Sequence, residues 1–271
     1  MVLRRLILFA WLALGLFPVG LVAQGALPQT LVTVQFLPGW QTDSGARMSG
    51  LHLKLAPGWK TYWRSPGDAG IPPDFSWRGS ENLRAVKIHW PAPSVYSSYG
   101  LRTVGYDGEV ILPISVVPRN ASQPVRLRAQ IQLGVCEQVC VPVSLELDEQ
   151  LHGKGKSDLN IHQALATLPV PAERAGVGKV VCRFSPNRDG VELSASISMP
   201  ELGQDEVVLI ETSDPRIWVA DPQSRRDGKT LHAQTQLVAP AGKPLSLDRK
   251  GLRFTVIGRH QAVDINGCSV G

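Results

Sequence analysis

The chain has 271 residues, a net charge of +5, 43% hydrophobic content and four cysteines, enough apolar material for one large or two modest packed domains. No Lys/Arg cluster stands out, and removing Arg4 and Arg5 lowers the charge to +3, which argues against a nucleic-acid partner. No nucleophile elbow, phosphate loop or paired-carboxylate pattern supports a hydrolase or a nucleotide-dependent enzyme.

Arg4 and Arg5 precede an apolar run from Leu6 to Val22, followed by the small residues Ala23, Gly25 and Ala26. This is the layout of a secretory signal peptide over residues 1–23. The rival reading, a retained membrane anchor, is weakened by Gly15, Pro18 and Gly20 within a run near the lower length limit for a span. The expectation is therefore an exported, soluble chain in a compartment where cysteines pair.

Beyond the leader, period-two alternation dominates. Leu51–Leu55, Val125–Leu133 and Val143–Leu147 each alternate apolar with polar residues and predict strands with one buried face. Turn signals punctuate them at Pro57-Gly58, Ser65–Asp68, Ile71–Pro73 and Gly105–Gly108. Gly67-Asp68-Ala69-Gly70 reads as a tight turn rather than a ligand loop. Short strands so spaced predict a β-sandwich. Ser157-Asp158 predicts the cap of a short helix ending near Leu168, stopped by Pro169, with a flexible, glycine-rich Gly153–Lys156 ahead of it. Alternation resumes at Val191–Ile197, Glu206–Glu211, Ile217–Ala220, Leu231–Val238 and Leu252–Ile257. The predicted organisation is an all-β protein: a first domain over 24–152, a linker with a short helix over 153–174, and a second β-sandwich over 175–271.

Cys136 and Cys140 flank Glu137-Gln138-Val139, with an alternating strand on either side. The pair is thus expected at a hairpin tip. Residues facing across such a tip have Cα atoms about 4.5–5.5 Å apart, within the roughly 4.4–6.8 Å that a disulfide spans. A bridge closing so small a loop contributes little chain-entropy stability. Three readings follow: dithiol/disulfide exchange through a mixed disulfide, Cu(I) held by two thiolates, or a structural staple. Cys182, in the alternating stretch Val180–Phe184, and Cys268 in the tail are read first as a structural disulfide, with a second redox or metal pair, or two independent free thiols, as the alternatives. A structural disulfide between them would close a long loop worth roughly 4 kcal/mol. The histidines at 52, 89, 152, 162, 232 and 260 show no metal-ligand spacing.

Several separate motifs add to this. Residues 51–73 read LHLKLAPGWKTYWRSPGDAGIPP; Trp90-Pro91-Ala92-Pro93, Val104-Gly105-Tyr106, Glu109-Val110 with Leu112-Pro113, and Cys136-x-x-x-Cys140-x-Pro142 follow. Together they resemble the N-terminal periplasmic domain of the DsbD/ScsB family of protein-disulfide reductases. The resemblance implies that both sandwiches are immunoglobulin-like. It implies a periplasmic thiol–disulfide exchange role without an organic cofactor, passing electrons from a membrane or thioredoxin-like donor to oxidised proteins. Thioredoxin-like or disulfide-isomerase-type proteins are the implied partners. Cys140 would form the mixed disulfide and Cys136 resolve it. A cap loop is implied at Tyr96–Gly100, with Tyr99 the lid and Tyr96 its reserve, and Tyr62 or Trp63 at the edge of the site. Ser97 and Ser98 stand where better-known members carry acidic residues, which would leave the thiols more readily ionised. Full-length reductases continue into membrane and thioredoxin domains, so the expectation here is either a stand-alone relay in cytochrome c biogenesis or copper tolerance, with its electron donor on another polypeptide, or a chain that has lost the reductive circuit. The alternative is a copper-binding protein using the thiolates of Cys136 and Cys140.

Overall fold

The computed structural model describes residues 30–98, 100–240, 245 and 247–271. The signal-peptide expectation over 1–23 and the lid residue Tyr99 lie outside the described residues.

The first half contains β1 (Val32–Gln41), β2 (Arg47–Leu55), β3 (Lys60–Tyr62), β4 (Asp74–Ser76), β5 (Leu83–Ile88), β6 (Ser94–Ser98), β7 (Leu101–Asp107), β8 (Glu109–Pro118), β9 (Val125–Cys136) and β10 (Cys140–Leu151). They form a four-stranded sheet, β1-β2-β8-β5, facing a six-stranded one, β10-β9-β3-β7-β6, with β4 also paired to β9. Period-two patterning explains the layering. Along β9, Val125, Leu127, Ala129, Ile131, Leu133 and Val135 are all buried, and Leu51, Leu53, Leu112 and Ile114 meet them from the other sheet. The sequence between Gly105 and Gly108 is not all turn, as expected: Gly105 and Tyr106 continue β7, and only the Asp107–Glu109 corner reverses the chain. Gly105 is required by packing, because a Cβ there would lie 2.0 Å from the Thr61 carbonyl oxygen.

An α-helix, α1 (Leu159–Ala166), follows. Asp158 caps it, its carboxylate accepting from the Asn160 and Ile161 amides at 2.9 and 3.2 Å, as short acidic side chains do at helix starts. The glycine-rich lead-in is pinned rather than free: Gln41 N donates to Lys154 O at 2.7 Å, and Lys156 N to Gly39 O at 3.0 Å. The correction has a local cause, since these backbone groups extend the edge of β1.

The second half contains β11 (Val170–Pro171), β12 (Val180–Asn187), β13 (Gly190–Ser198), β14 (Val207–Glu211), β15 (Trp218–Val219), β16 (Gln223–Asp227), β17 (Thr230–Val238), β18 (Arg253–Ile257), β19 (Ala262–Asn266) and β20 (Ser269–Val270). One sheet runs β11-β19-β18-β14; the other runs β15-β17-β13-β12-β20, with β16 on β17. The whole is an all-β sandwich architecture, immunoglobulin-like in its first half. Cys182, fully buried on β12, is bonded to Cys268, with Cα atoms 5.8 Å apart. β20, directly after Cys268, pairs parallel with β12.

The two halves share apolar packing. Leu209, Ile257 and Ala262 of the second belong to the core cluster of the first. Arg64 crosses the junction. Its guanidinium lies 3.6 Å over the Trp63 ring, donates to both Glu211 carboxylate oxygens at 3.1 and 3.0 Å, and reaches Thr255 Oγ1 at 3.2 Å. Nearby, Arg102 pairs with Asp221 at 3.1 Å, while the Asp221 amide donates to the Asp68 carboxylate.

Candidate functional site

The site sits where β9 turns into β10. Cys136 and Cys140 are cross-strand partners at the end of the hairpin, joined by a disulfide with Cα atoms 4.1 Å apart. Glu137, Gln138 and Val139 make the tip, closed by a Glu137 N to Val139 O bond of 3.3 Å. Cys136 is half-buried and Cys140 exposed. An incoming thiolate therefore has its open approach to Cys140.

Register decides what surrounds the sulfurs. On β3, Lys60 lies opposite Cys136 and Thr61 opposite Val135. Val135 and Thr61 are buried at 0% and 2% exposure, so they define the core face. Lys60, Tyr62, Gly134 and Cys136 share the outer face by alternation. Tyr62 comes next in register to Gly134, and this glycine makes room for it: a Cβ there would lie 3.0 Å from the tyrosine ring and 2.7 Å from Ile71 Cβ. The ring therefore lies flat along the strand towards the disulfide. Its hydroxyl is 2.9 Å from Cys136 Sγ and 3.2 Å from Cys140 Sγ. Burial raises the pKa of Tyr62, so the hydroxyl stays protonated and donates.

Tyr62 thus borders the sulfurs as the sequence motif suggests. Trp63 does not. Adjacent residues on extended backbone face opposite ways, and Trp63 enters the core with no exposed surface, under Arg64. Tyr96, half-buried on β6, carries the Lys60 ammonium 4.3 Å from its ring centroid. Its hydroxyl is buried, and that burial raises its pKa. Glu137 packs against Gly58, where a Cβ would lie 3.3 Å from its Oε1. Val139 and Ile71 are exposed at 66% and 40%, an apolar rim beside the polar bridge.

Lys60, Ile71 and Gly134 escaped the sequence reading. The β3–β9 register brings the first to the cysteines, and no local pattern encodes that register. The spacing of Gly134, two residues before Cys136 on one strand face, was the available signal. Among the described residues no group of three or more His, Cys, Asp or Glu side chains gathers as a metal site.

A sandwich domain presenting a small-loop disulfide at an open hairpin tip, with a protonated tyrosine hydroxyl on both sulfurs, has the groups that thiol–disulfide exchange requires. Comparison with known proteins agrees. Residues 33–152 match the family described as thiol:disulfide interchange protein DsbD, N-terminal. The crystal structure of the N-terminal periplasmic domain of ScsB from Proteus mirabilis is similar over both halves: 25% identity, 89% of this chain and 92% of that one covered, and a TM-score of 0.65. No curated protein sequence matches. Among the described residues no helix is long and apolar enough to cross a membrane.

Proposed function

We propose that this protein is a periplasmic electron relay that exchanges the Cys136–Cys140 disulfide with thioredoxin-like or disulfide-isomerase-type proteins. The observation that carries this is the Tyr62 hydroxyl, placed within hydrogen-bond reach of both sulfurs. A staple needs no such donor, whereas a bridge that opens to a thiolate does.

The step is a thiolate displacement. A partner thiolate attacks exposed Cys140 Sγ; the new intermolecular S–S bond forms as the Cys136–Cys140 bond breaks, and the electron pair leaves on Cys136 Sγ. Tyr62 donates to that leaving thiolate. The partner's second thiol then releases the mixed disulfide, leaving the pair reduced as the partner is oxidised. The reduced pair runs the same steps backwards towards an oxidised acceptor. No organic cofactor enters. Tyr96 and the following segment would act as the cap over the pair.

Trapping tests this. Cys136→Ser leaves Cys140 without its resolving thiol, so mixed disulfides through Cys140 should accumulate with thioredoxin-like proteins in a native periplasm. Cys140→Ser should trap far fewer. Equal trapping by the two variants, or none by either, would refute the assignment.

A further inference from the structure

We propose that Lys60 is a movable counter-ion for the Cys136 thiolate, held over the Tyr96 ring while the disulfide is closed. This rests on the exchange reading above and deepens it.

Lys60 stands directly opposite Cys136 in the β3–β9 register, where facing Cβ atoms are about 4.5–5.5 Å apart. Its ammonium nevertheless points the other way, across β7 to β6, and lies 4.3 Å from the Tyr96 ring centroid. A closed disulfide carries no charge and gives a cation no reason to approach. The electron-rich ring face does, and the Asp107 carboxylate, opposite Lys60 on β7, draws the ammonium to the same side. When the S–S bond opens, an electron pair resides on Cys136 Sγ, and by register the cation of Lys60 stands on the strand position facing it. Rotation of the flexible lysine stem then moves the charge from ring to sulfur, with no bond made or broken.

The other groups packed round this face make the role specific. Asp107 on β7 lies opposite Lys60 on its far side, and Glu137 sits at the hairpin tip against Gly58. Both repel a thiolate. Tyr62 and Tyr96 are neutral, their pKa values raised by burial. Cys140 on β10 is the other sulfur. Lys60 is thus the cation that the β3–β9 register sets directly opposite the charge created by reduction. Because its resting place is on β6, displacement of Tyr96 by a docking partner would free the cation as the partner's thiolate arrives.

The test uses the full-length reduced protein. Alkylation rate against pH, in a Cys140→Ser background, gives the Cys136 thiol pKa with Lys60, Lys60→Gln and Lys60→Arg. Lys60→Gln should raise it by about one unit, a roughly tenfold loss of thiolate at neutral pH, and Lys60→Arg should restore it. The gap should shrink in high salt, as a charge effect does and a packing effect does not. Unaltered protein supplies a second readout by NMR: the Lys60 Hε protons should show a ring-current shift from Tyr96 in the disulfide form that disappears on reduction. A Lys60→Gln profile overlying the reference, with ring-current shifts equal in both redox states, overturns the counter-ion role while leaving exchange intact. A wild-type disulfide that glutathione cannot open refutes the exchange reading itself.

Discussion

Tyr62→Phe isolates the group on which the proposed chemistry turns. The substitution keeps the ring that lies along Gly134 and removes only the hydroxyl 2.9 and 3.2 Å from the two sulfurs. To a closed disulfide, a neutral and weak acceptor, the hydroxyl contributes at most about 0.5–1 kcal/mol, the lower part of the range for neutral hydrogen bonds. To a thiolate it contributes about 1.5–3 kcal/mol, as bonds to charged groups do. The differential of about 1–2 kcal/mol corresponds to roughly one pKa unit at 1.36 kcal/mol per unit. Tyr62→Phe should therefore raise the active thiol pKa by about one unit. Above that pKa it should also make the reduction potential about 30 mV more negative, the two-electron equivalent of 1.4 kcal/mol. The exchange rate at neutral pH should fall less than the roughly tenfold loss of thiolate. A more basic thiolate is a better nucleophile, with a Brønsted slope of about 0.4–0.5, so a net drop of about threefold is expected. Thiolate absorbance against pH, with glutathione equilibration for the potential, measures all three. A Tyr62→Phe protein whose thiol pKa stays within about 0.3 units of the reference would show that the hydroxyl contacts the sulfurs without selecting their charged form.

Four further outcomes follow from the same geometry. Titration with dithiothreitol should open Cys136–Cys140 well before Cys182–Cys268, since Cys182 is fully buried and Cys140 exposed; mass-labelled alkylation reads the order, and simultaneous reduction would contradict it. Replacing Cys182 and Cys268 by serine removes a bridge of sequence separation 86 and should lower unfolding free energy by roughly 4 kcal/mol, measured by urea denaturation of the disulfide-intact and substituted proteins. Glu211→Ala leaves the Arg64 guanidinium half-desolvated against Trp63 without its carboxylate; the expected loss is about 2–3 kcal/mol, below the range for fully buried pairs, and a change under about 0.5 kcal/mol would show the pair to be solvent-screened. Burial, and Lys87 beside it, lowers the His89 pKa, so near pH 6.5 the unfolded chain takes up a proton that the folded one refuses. Stability should fall as pH drops through that value, and His89→Gln should flatten the slope between about pH 7 and 5.5 in urea midpoints.

Legibility in the sequence followed the range of the forces involved. The strands β2, β9 and β10 and the cap at Asp158 could be read because alternation and capping are local. The hairpin tip came with them, since three residues between two alternating runs leave little other geometry. What lay beyond reach was non-local. Lys60 and Cys136 are 76 positions apart in the numbering and meet only through the β3–β9 register; Arg64 and Glu211 are separated by 147 residues. Trp63 illustrates a different limit. A motif can bring a Tyr-Trp pair to the right strand, but which of the two turns outward depends on register parity, and here parity gives Tyr62 to the sulfurs. Gly105 misled for the opposite reason: its glycine signals a turn, whereas its task is to admit the Thr61 carbonyl.

Only one residue separates the tyrosine that touches the sulfurs from the arginine that spans the junction. Tyr62, Trp63 and Arg64 make one short lever with the redox pair at one end and β14 and β18 at the other. Since Leu209, Ile257 and Ala262 also complete the apolar interior of the first half, the second sandwich is no detachable appendage. Excising it would strip hydrophobic cover from its neighbour and loosen the footing of the tyrosine. Selection acting on either half is thereby tied to the other, and grafting the redox hairpin onto a foreign partner would demand a replacement for that shared seam.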